Sequence, residues 1–215
     1  MPYGRFTLFY FDATKKDDLL SQLASRLETR AKEAPGFIQG RLTQLAENRM
    51  VVGAFFKDKS SADANSEGHN GLRDFLADFV DWEMGEPVVR EGELVWGFDT
   101  EGHGPGTPTP TASYATYRAT DIDSSKYDSL ITYMESVRDQ YRGVSGLIRL
   151  RIARIAEDRV VAIALYDSKA SSDKAQENAK AVMSGGSEFF TGNVVFLEGH
   201  LVWSCLLYTS DAADE

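Results

Sequence analysis

Two arginines at corresponding positions are the main candidates for chemistry in this chain of 215 residues. Arg41 and Arg151 each lie within a stretch whose apolar and polar residues alternate, as along a half-buried β-strand. In a cavity, a guanidinium binds a carboxylate, phenolate or enolate through paired hydrogen bonds. Both are therefore predicted substrate-binding residues. A salt bridge to a facing sheet, or a strand edge in water, is the alternative and the more common role.

Candidates for proton transfer are fewer. His69 shares a helical face with Leu72 and Leu76, and because histidine titrates near neutral pH it is a candidate catalytic base. Gly68 and Gly71 lie on either side of it. They fit equally well a surface histidine at a frayed helix end.

Aromatic residues complete the predicted site. Tyr166 is the second candidate for catalytic proton transfer, and Trp96 and Trp203 are candidates for binding a substrate. Aromatic side chains of this kind more often belong to a core or line a barrel. Core packing is therefore the alternative for all three residues.

No motif for a metal or a cofactor occurs in the sequence. It has no glycine-rich phosphate loop, Walker motif, nucleophile elbow or HExxH segment. Its three histidines are scattered and Cys205 is its single cysteine, which does not indicate a metal site. We therefore expect a site without metal and without cofactor.

A repeated segment must position these residues. Residues 36–63 (GFIQGRLTQLAENRMVVGAFFKDKSSAD) return as residues 146–173 (GLIRLRIARIAEDRVVAIALYDSKASSD) with no gap. The offset is 110 residues, from Gly36 to Gly146. The ends of the two copies also match, since Val95-Trp96 returns as Val202-Trp203. The repeat is therefore predicted to be full length.

Each copy has the pattern strand, helix, hairpin, helix, strand. In the first copy, strands are predicted at 5–12, 37–45 and 50–56, either a strand pair or one bent strand at 86–98, and helices at 17–32 and 60–80. In the second copy, the predicted elements are a strand at 113–120, a helix with an apolar stripe over 130–141, the repeated hairpin, a short helix at 174–183 and a last strand. This β-α-β-β-α-β order is the ferredoxin-like motif of the α+β class.

The composition changes at two places. Residues 100–111 (TEGHGPGTPTPT) are rich in proline and glycine, which is typical of an extended linker. Residues 205–215 resemble a translated sequencing adapter at the end of a metagenomic fragment, so we expect a non-native tail. The predicted organisation is a first repeat at 1–99, a linker at 100–111, a second repeat at 112–204 and the tail at 205–215.

Both copies resemble the antibiotic biosynthesis monooxygenase domains of the dimeric α+β barrel superfamily. The resemblance is carried by Pro35-Gly36-Phe37 and residues 55–62 (FFKDKSSA), and by Gly146 and residues 166–171 (YDSKAS) of the second copy. It implies that two ferredoxin-like units pack sheet to sheet as a barrel. Here both units would lie in one chain, as a monomeric pseudo-dimer that could dimerise further.

The resemblance also implies a cofactor-independent monooxygenase acting on a small aromatic, phenol- or quinol-like substrate. In such chemistry the substrate anion itself reduces oxygen, while the protein deprotonates and orients it and excludes water. The alternative is a non-catalytic small-molecule-binding or stress-related protein. Family members usually carry tryptophan where this chain has Phe56 and Tyr166, which favours the alternative.

The size of a cavity would help to decide between the two functions. An open apolar cavity of roughly 300 Å³ or more near Arg41 or Arg151 would favour a small-molecule site. A barrel interior packed with side chains would count against catalysis.

The charge of the chain narrows the range of partners. The net charge is −10, and an acidic surface repels nucleic-acid phosphates and anionic lipids. No apolar run approaches the roughly 20 residues that cross a bilayer. We therefore expect a cytoplasmic protein that binds a small molecule, with no nucleic acid and no membrane as partner.

Overall fold

The computed structural model describes residues 1–65, 77–100 and 112–206. Internal contacts divide the chain into two compact units, Met1–Glu93 with Leu201–Glu215, and Leu94–His200. Each unit is built around an antiparallel β-sheet with helices following its strands.

The first unit contains the strands β1 (Tyr3–Tyr10), β2 (Phe37–Ala46), β3 (Arg49–Phe56) and the first half of β4 (Val88–Asp99). Backbone pairing gives the strand order β4-β1-β3-β2. Helix α1 (Lys16–Glu33) follows β1, and the short helix α2 (Lys59–Ala64) follows β3.

The second unit contains β5 (Tyr114–Ile122), β6 (Leu147–Ala156), β7 (Arg159–Tyr166) and most of β8 (Phe190–Leu206). Its strand order is β8-β5-β7-β6. Its helices are α3 (Tyr127–Ser136), α4 (Arg138–Arg142) and α5 (Lys169–Gly185). The second half of β4 also belongs to this unit, and just beyond it the backbone N–H of Thr100 donates to the carbonyl oxygen of Ile148 at 3.1 Å.

The observed elements confirm the predicted α+β class with antiparallel sheets. A short 3₁₀ turn, Ala13–Lys15, leads into α1, and the Asp12 carboxylate caps it by accepting a hydrogen bond from the backbone N–H of Thr14 at 2.9 Å. Asp123 does the same for Ser125 at 3.0 Å in the second unit. These caps end β1 and β5 and turn the chain toward the helices.

Several predicted boundaries differ from the structure. Helix α5 begins at Lys169, earlier than predicted, because Ser168 caps it by accepting a hydrogen bond from the N–H of Ser171. Of the two arrangements left open for 86–98, a strand pair or one bent strand, the structure has the single strand β4, which begins at Val88. Of the predicted helix at 60–80, the structure describes α2 and a turn from residue 77 onward.

The unit boundaries also differ from the predicted repeats, because they fall inside β4 and β8 rather than in a linker. The predicted linker lies outside the described residues from position 101 to 111. The first two residues of the predicted tail, Cys205 and Leu206, continue β8, and 207–215 lie outside the described residues.

The apolar row of each first hairpin strand packs on the helix side of the sheet. Leu42 is in a buried cluster with Leu19 and Leu23 of α1, and Leu150 and Ile152 are in the core of the second unit. These residues alternate with polar ones, so the pleat directs the two sets to opposite faces. Ile38 is an exception at 37% exposure, because the β2–β3 register shifts between Phe37 and Gln39.

No helix in the described ranges is both long enough and apolar enough to cross a membrane.

Gly146 opens the hairpin of the second unit in a conformation that excludes other residues. Its φ is +77°, and a Cβ there would lie 2.3 Å from Ser171 Oγ. We expect Gly146→Ala to lower the free energy of unfolding by about 2–4 kcal/mol, from left-handed strain and the clash. Urea titrations measure this.

Gly143→Ala is the control. Its φ is −74°, and its new Cβ would only approach the Asp139 carbonyl oxygen at 3.6 Å. Equal losses of stability for the two variants would contradict the role assigned to Gly146.

Candidate functional site

A cavity of about 80 Å³ lies between the sheet and the helices of the second unit. Its walls are mainly apolar. The sheet contributes Leu150, Ile152 and Val160, and the helices contribute Leu130, Met134 and Val182. The cavity therefore occupies part of the space that a hydrophobic core would fill.

Small residues on neighbouring strands create this space. Strand pairing sets Thr116 opposite Ala164, Arg118 opposite Ala162, and Thr120 opposite Val160. All six residues line the cavity. Since cross-strand neighbours share one face of the sheet, the two alanines leave room beside the long side chain of Arg118.

Arg118 is the one charged residue among the described residues that line the cavity. Its Nη2 donates to Gln176 Oε1 at 2.7 Å and its Nη1 approaches Met183 Sδ at 3.2 Å. Its guanidinium carbon lies 5.2 Å from the centre of the Phe196 ring. Within the part of the chain that the structure describes, no carboxylate forms an ion pair with Arg118. The guanidinium thus keeps its charge uncompensated at the wall of an apolar cavity.

Two tyrosines add hydroxyl groups to the cavity. Burial raises the pKa of Tyr141 to about 12. Burial also raises the pKa of Tyr166, against the opposing effects of a side-chain hydrogen bond with Thr116 and of the positive charge of Arg118. Both hydroxyls therefore stay protonated near neutral pH, and they can donate hydrogen bonds to a ligand.

The described part of the cavity lining has no group that takes up a proton readily near neutral pH. Among the described residues that line it, none is Asp, Glu, His or Lys. Tyr166, predicted as a proton-transfer residue, does line the cavity, but its raised pKa suits a hydrogen-bond donor better than a base.

Arg151 lies between two lining residues of β6, and the pleat directs it to the opposite face of the sheet. Its Nη2 donates to both carboxylate oxygens of Asp99 at 2.9 Å. Its Nη1 donates to the carbonyl oxygens of Phe98 at 2.5 Å and Leu150 at 2.9 Å. Asp99 also accepts a short hydrogen bond from Arg149. This is the geometry of a structural ion pair, the alternative weighed for Arg151.

Arg41 is buried in the first unit. Its Nη2 donates to Gln39 Oε1 at 2.6 Å, and its guanidinium carbon lies 5.0 Å from the centre of the Phe55 ring. Gly40 and Leu42 flank it on β2, so it too points away from the helix side of its sheet.

The two tryptophans take core positions. The indole N–H of Trp96 donates to Glu135 Oε2 at 2.9 Å, and the ring belongs to the core of the second unit. In the first unit, Trp203 packs over Gly40, where an added Cβ would lie 3.0 Å from the ring. His69 lies outside the described residues. Of the predicted site residues, only Tyr166 lines the described cavity.

Sequence reasoning missed Arg118, Tyr141 and Gln176. A signal for Arg118 exists in the repeat: the strand YATYRAT corresponds to YGRFTLF, so Arg118 stands where the first copy has Thr7. A charged residue that replaces a neutral one within a duplicated strand marks a place where the copies differ.

The described residues include no group of three or more histidine, cysteine or acidic side chains that could hold a metal ion. Beside apolar residues, the described lining of the cavity has arginine, hydroxyl, amide and thioether groups.

No protein-family model matches this sequence, and no curated protein matches it. Solved structures do share its fold. A "Putative monooxygenase" from Fusobacterium nucleatum subsp. nucleatum ATCC 25586 matches 95% of this chain and 94% of its own, with a TM-score of 0.74 and 9% identity. An "anthrone oxidase-like protein" matches 95% and 93%, with a TM-score of 0.68 and 12% identity.

A third solved structure carries the name of the predicted family. It is an uncharacterized ferredoxin fold protein "related to antibiotic biosynthesis monooxygenases" from Listeria monocytogenes 4b F2365. It matches 92% of this chain and 95% of its own, with a TM-score of 0.51 and 10% identity. At such identities the likeness shows a shared fold, and it supports the ferredoxin-like α+β class predicted from the repeat.

Asp99 holds two arginines of β6, so its loss should weaken the fold. Both the Asp99 and Arg149 side chains are 6% exposed. We expect Asp99→Asn to lower the free energy of unfolding by about 3 kcal/mol or more, because it leaves buried positive charge uncompensated. Denaturant unfolding followed by circular dichroism measures the change.

Asp121→Asn is the matched control, since Asp121 is a strand aspartate in a half-exposed pair with Arg159 at 3.4 Å. Its loss should cost less than about 1 kcal/mol. If both aspartates prove equally dispensable, the Asp99 cluster does not stabilise the second unit.

Proposed function

We propose that the cavity of the second unit binds a small aromatic molecule, phenol- or quinol-like, through an acidic hydroxyl, and that the protein is a cofactor-independent monooxygenase acting on it. The observation that carries the proposal is Arg118, a guanidinium with no carboxylate partner among the described residues, in a mainly apolar cavity wall. An apolar ring fits the walls, and an ionised hydroxyl fits the guanidinium. The names of the fold neighbours, a "Putative monooxygenase" and an "anthrone oxidase-like protein", agree with this chemistry.

The proposed reaction needs no electron donor other than the substrate. For a hydroquinone, one atom of O₂ enters the ring and the other leaves as water, so that hydroquinone and O₂ give a hydroxyquinone and water. The substrate supplies all the electrons that reduce oxygen. The role of the protein is to hold the aromatic anion beside Arg118 and to exclude water from it.

The cavity lining supports binding of a substrate that is already ionised. Tyr141 and Tyr166 stay protonated, because burial raises the pKa of each. They can donate hydrogen bonds to an oxyanion, and Arg118 supplies the positive charge. The substrate hydroxyl would then lose its proton to water before or during entry.

The volume of the cavity limits the size of the substrate. At about 80 Å³ it is smaller than the roughly 300 Å³ typical of ligand pockets, and smaller than the ~150 Å³ of an engineered cavity that binds benzene. Met134 and Met183 line it, and methionine side chains adjust their shape readily. We therefore propose a single-ring substrate rather than a three-ring anthrone.

A second function is favoured by two of the same observations. The small volume and the lack of a basic group in the described lining fit a protein that binds a small aromatic anion without transforming it. Oxygen consumption separates the two proposals, because the binding protein would retain the ligand and consume no oxygen.

We also propose that the chain is a tandem duplication of one ferredoxin-like unit. The gapless match of residues 36–63 with 146–173 supports this. The shared topology also supports it. The sheet orders β4-β1-β3-β2 and β8-β5-β7-β6 are the same when the four strands of each unit are numbered from its first strand.

Removal of the Arg118 charge should weaken the proposed reaction. We expect Arg118→Gln to lower kcat/KM for oxygen uptake with hydroquinones by about 10- to 100-fold, the loss typical of one charge-assisted hydrogen bond. An oxygen electrode, with no cofactor added, measures the rate. Arg159→Gln, which removes a β7 arginine from a half-exposed pair with Asp121, should leave the rate unchanged.

Unchanged kinetics in a folded Arg118→Gln protein would contradict the site. If the protein binds hydroquinone without consuming oxygen, and Arg118→Gln abolishes that binding, the protein is the binding protein and not the monooxygenase.

The pH dependence should follow the substrate and not the protein. Because Tyr141 titrates at about 12 and the pKa of Tyr166 is also raised, neither changes charge near neutral pH. We expect kcat/KM to rise with pH through the first pKa of the substrate. A chlorinated hydroquinone, which is more acidic, should shift the midpoint downward relative to hydroquinone. One common midpoint near roughly 6.5 for both would instead indicate a histidine base.

A further inference from the structure

The side chains on the helix side of the two sheets can be compared position by position, because the strands of the two units correspond. Tyr3 pairs with Phe56 in the first unit, and Tyr114 pairs with Tyr166 in the second. Thus β1 corresponds to β5 with an offset of 111 residues, and β3 corresponds to β7 with an offset of 110. Each residue that lines the cavity on these strands therefore has a counterpart in the first unit.

One cross-strand pair differs most in size. Phe9 and Met50 are paired in the first unit, at the positions of the pair Thr120 and Val160. Phe9 is 1% exposed and Met50 is 0% exposed, and both belong to the buried cluster of that unit. Thr120 and Val160 are smaller, and they line the cavity.

A neighbouring position on β3 changes in the same direction. Val52 of the first unit is buried in the same cluster, at the position of Ala162. On the helix-facing side of β1 and β3, the first unit therefore has phenylalanine, methionine and valine where the second has threonine, valine and alanine. Larger side chains at three adjoining positions fill the space that the second unit leaves open.

The charged group differs as well. Arg118 has the neutral Thr7 as its counterpart in the first unit. The arginine on the helix-facing row of β1 is Arg5, and it is compensated, because its Nε donates to Glu91 Oε2 at 2.5 Å and its Nη2 lies 3.5 Å from Asp63. The first unit therefore lacks, at these described positions, both the space and the uncompensated charge of the second.

We infer that the chain binds one aromatic anion, in the second unit, and that the pair Thr120 and Val160 together with Arg118 restricts binding to that unit. This inference rests on the proposed function for the class of ligand. At the described positions, the first unit is a filled counterpart with the same topology. The space between β5 and β7 thus determines which copy of the duplication takes the ligand.

The methionines of the chain report on the two units separately. Met134 and Met183 line the cavity, Met50 lies at the filled position, and Met1 and Met84 are exposed. When the methionine methyl groups are labelled with ¹³C, each methionine gives one NMR signal. Replacing one methionine at a time by leucine assigns each signal to its residue. The probes are hydroquinone without oxygen, and xenon, which enters small apolar cavities whatever the substrate is.

Both probes should shift the signals of Met134 and Met183 and leave that of Met50 in place, and calorimetry should give one hydroquinone per chain. Shifts of Met50 as large as those of Met134, or two hydroquinones per chain, would overturn the inference. Xenon shifts confined to Met134 and Met183, with no response to hydroquinone, would uphold the difference between the units and refute the proposed aromatic ligand. No response to either probe would overturn both.

Variants that place the larger side chains of the first unit into the second unit test the roles of Thr120 and Val160. Val160→Met, alone and with Thr120→Phe, should weaken hydroquinone binding by about tenfold or more, because the new side chains occupy its space. Met50→Val in the first unit is the control, and it should leave both the affinity and the stoichiometry unchanged. Full affinity in a folded Thr120→Phe, Val160→Met protein would refute the role of this pair.

Discussion

The pleat of the β-sheet imposes the main constraint on this molecule. Consecutive residues of a strand point to opposite faces, so the helix side and the other side of each sheet receive separate sets of side chains. Leu150 and Ile152 of β6 line the cavity, and Arg151 between them binds Asp99 instead. An arginine can take part in the cavity only from a position such as Arg118, which shares its face with Thr116 and Thr120.

The charges of two strand arginines in the second unit have different surroundings. Arg151 has a carboxylate partner and two carbonyl oxygens, so its charge is compensated where it lies. Arg118 has an amide oxygen, a thioether sulfur and an aromatic ring, none of which carries a negative charge. Partial burial of a charge without a counterion is unfavourable. An anionic ligand would relieve that cost, which is why the geometry favours a binding site over a purely structural role.

Much of the fold could be predicted from local sequence patterns. The alternation in β2 and β6, the capping residues Asp12 and Asp123 and the glycines before the hairpins each depend on a few neighbouring residues. The cavity depends instead on strand pairing. The space beside Arg118 exists because Ala162 lies opposite it, and residues so far apart in sequence carry no local sign of being neighbours. The same reason explains why the unit boundary within β4 was not predicted: the partners that draw its second half into the second unit, such as Arg149, lie about fifty residues away.

A chain with two similar units can meet two demands that conflict within a single unit. An empty cavity of about 80 Å³ costs on the order of 2 kcal/mol of stability, from the measured relation between cavity volume and unfolding energy. Filling it, as Phe9 and Met50 do in the first unit, avoids this cost but removes the site. A single unit would have to accept one outcome or the other. In a chain with two units, the filled core stabilises one copy while small residues and an uncompensated arginine make the other available to a ligand. The size of the side chains between neighbouring strands is therefore the feature that separates a stabilising copy from a binding copy.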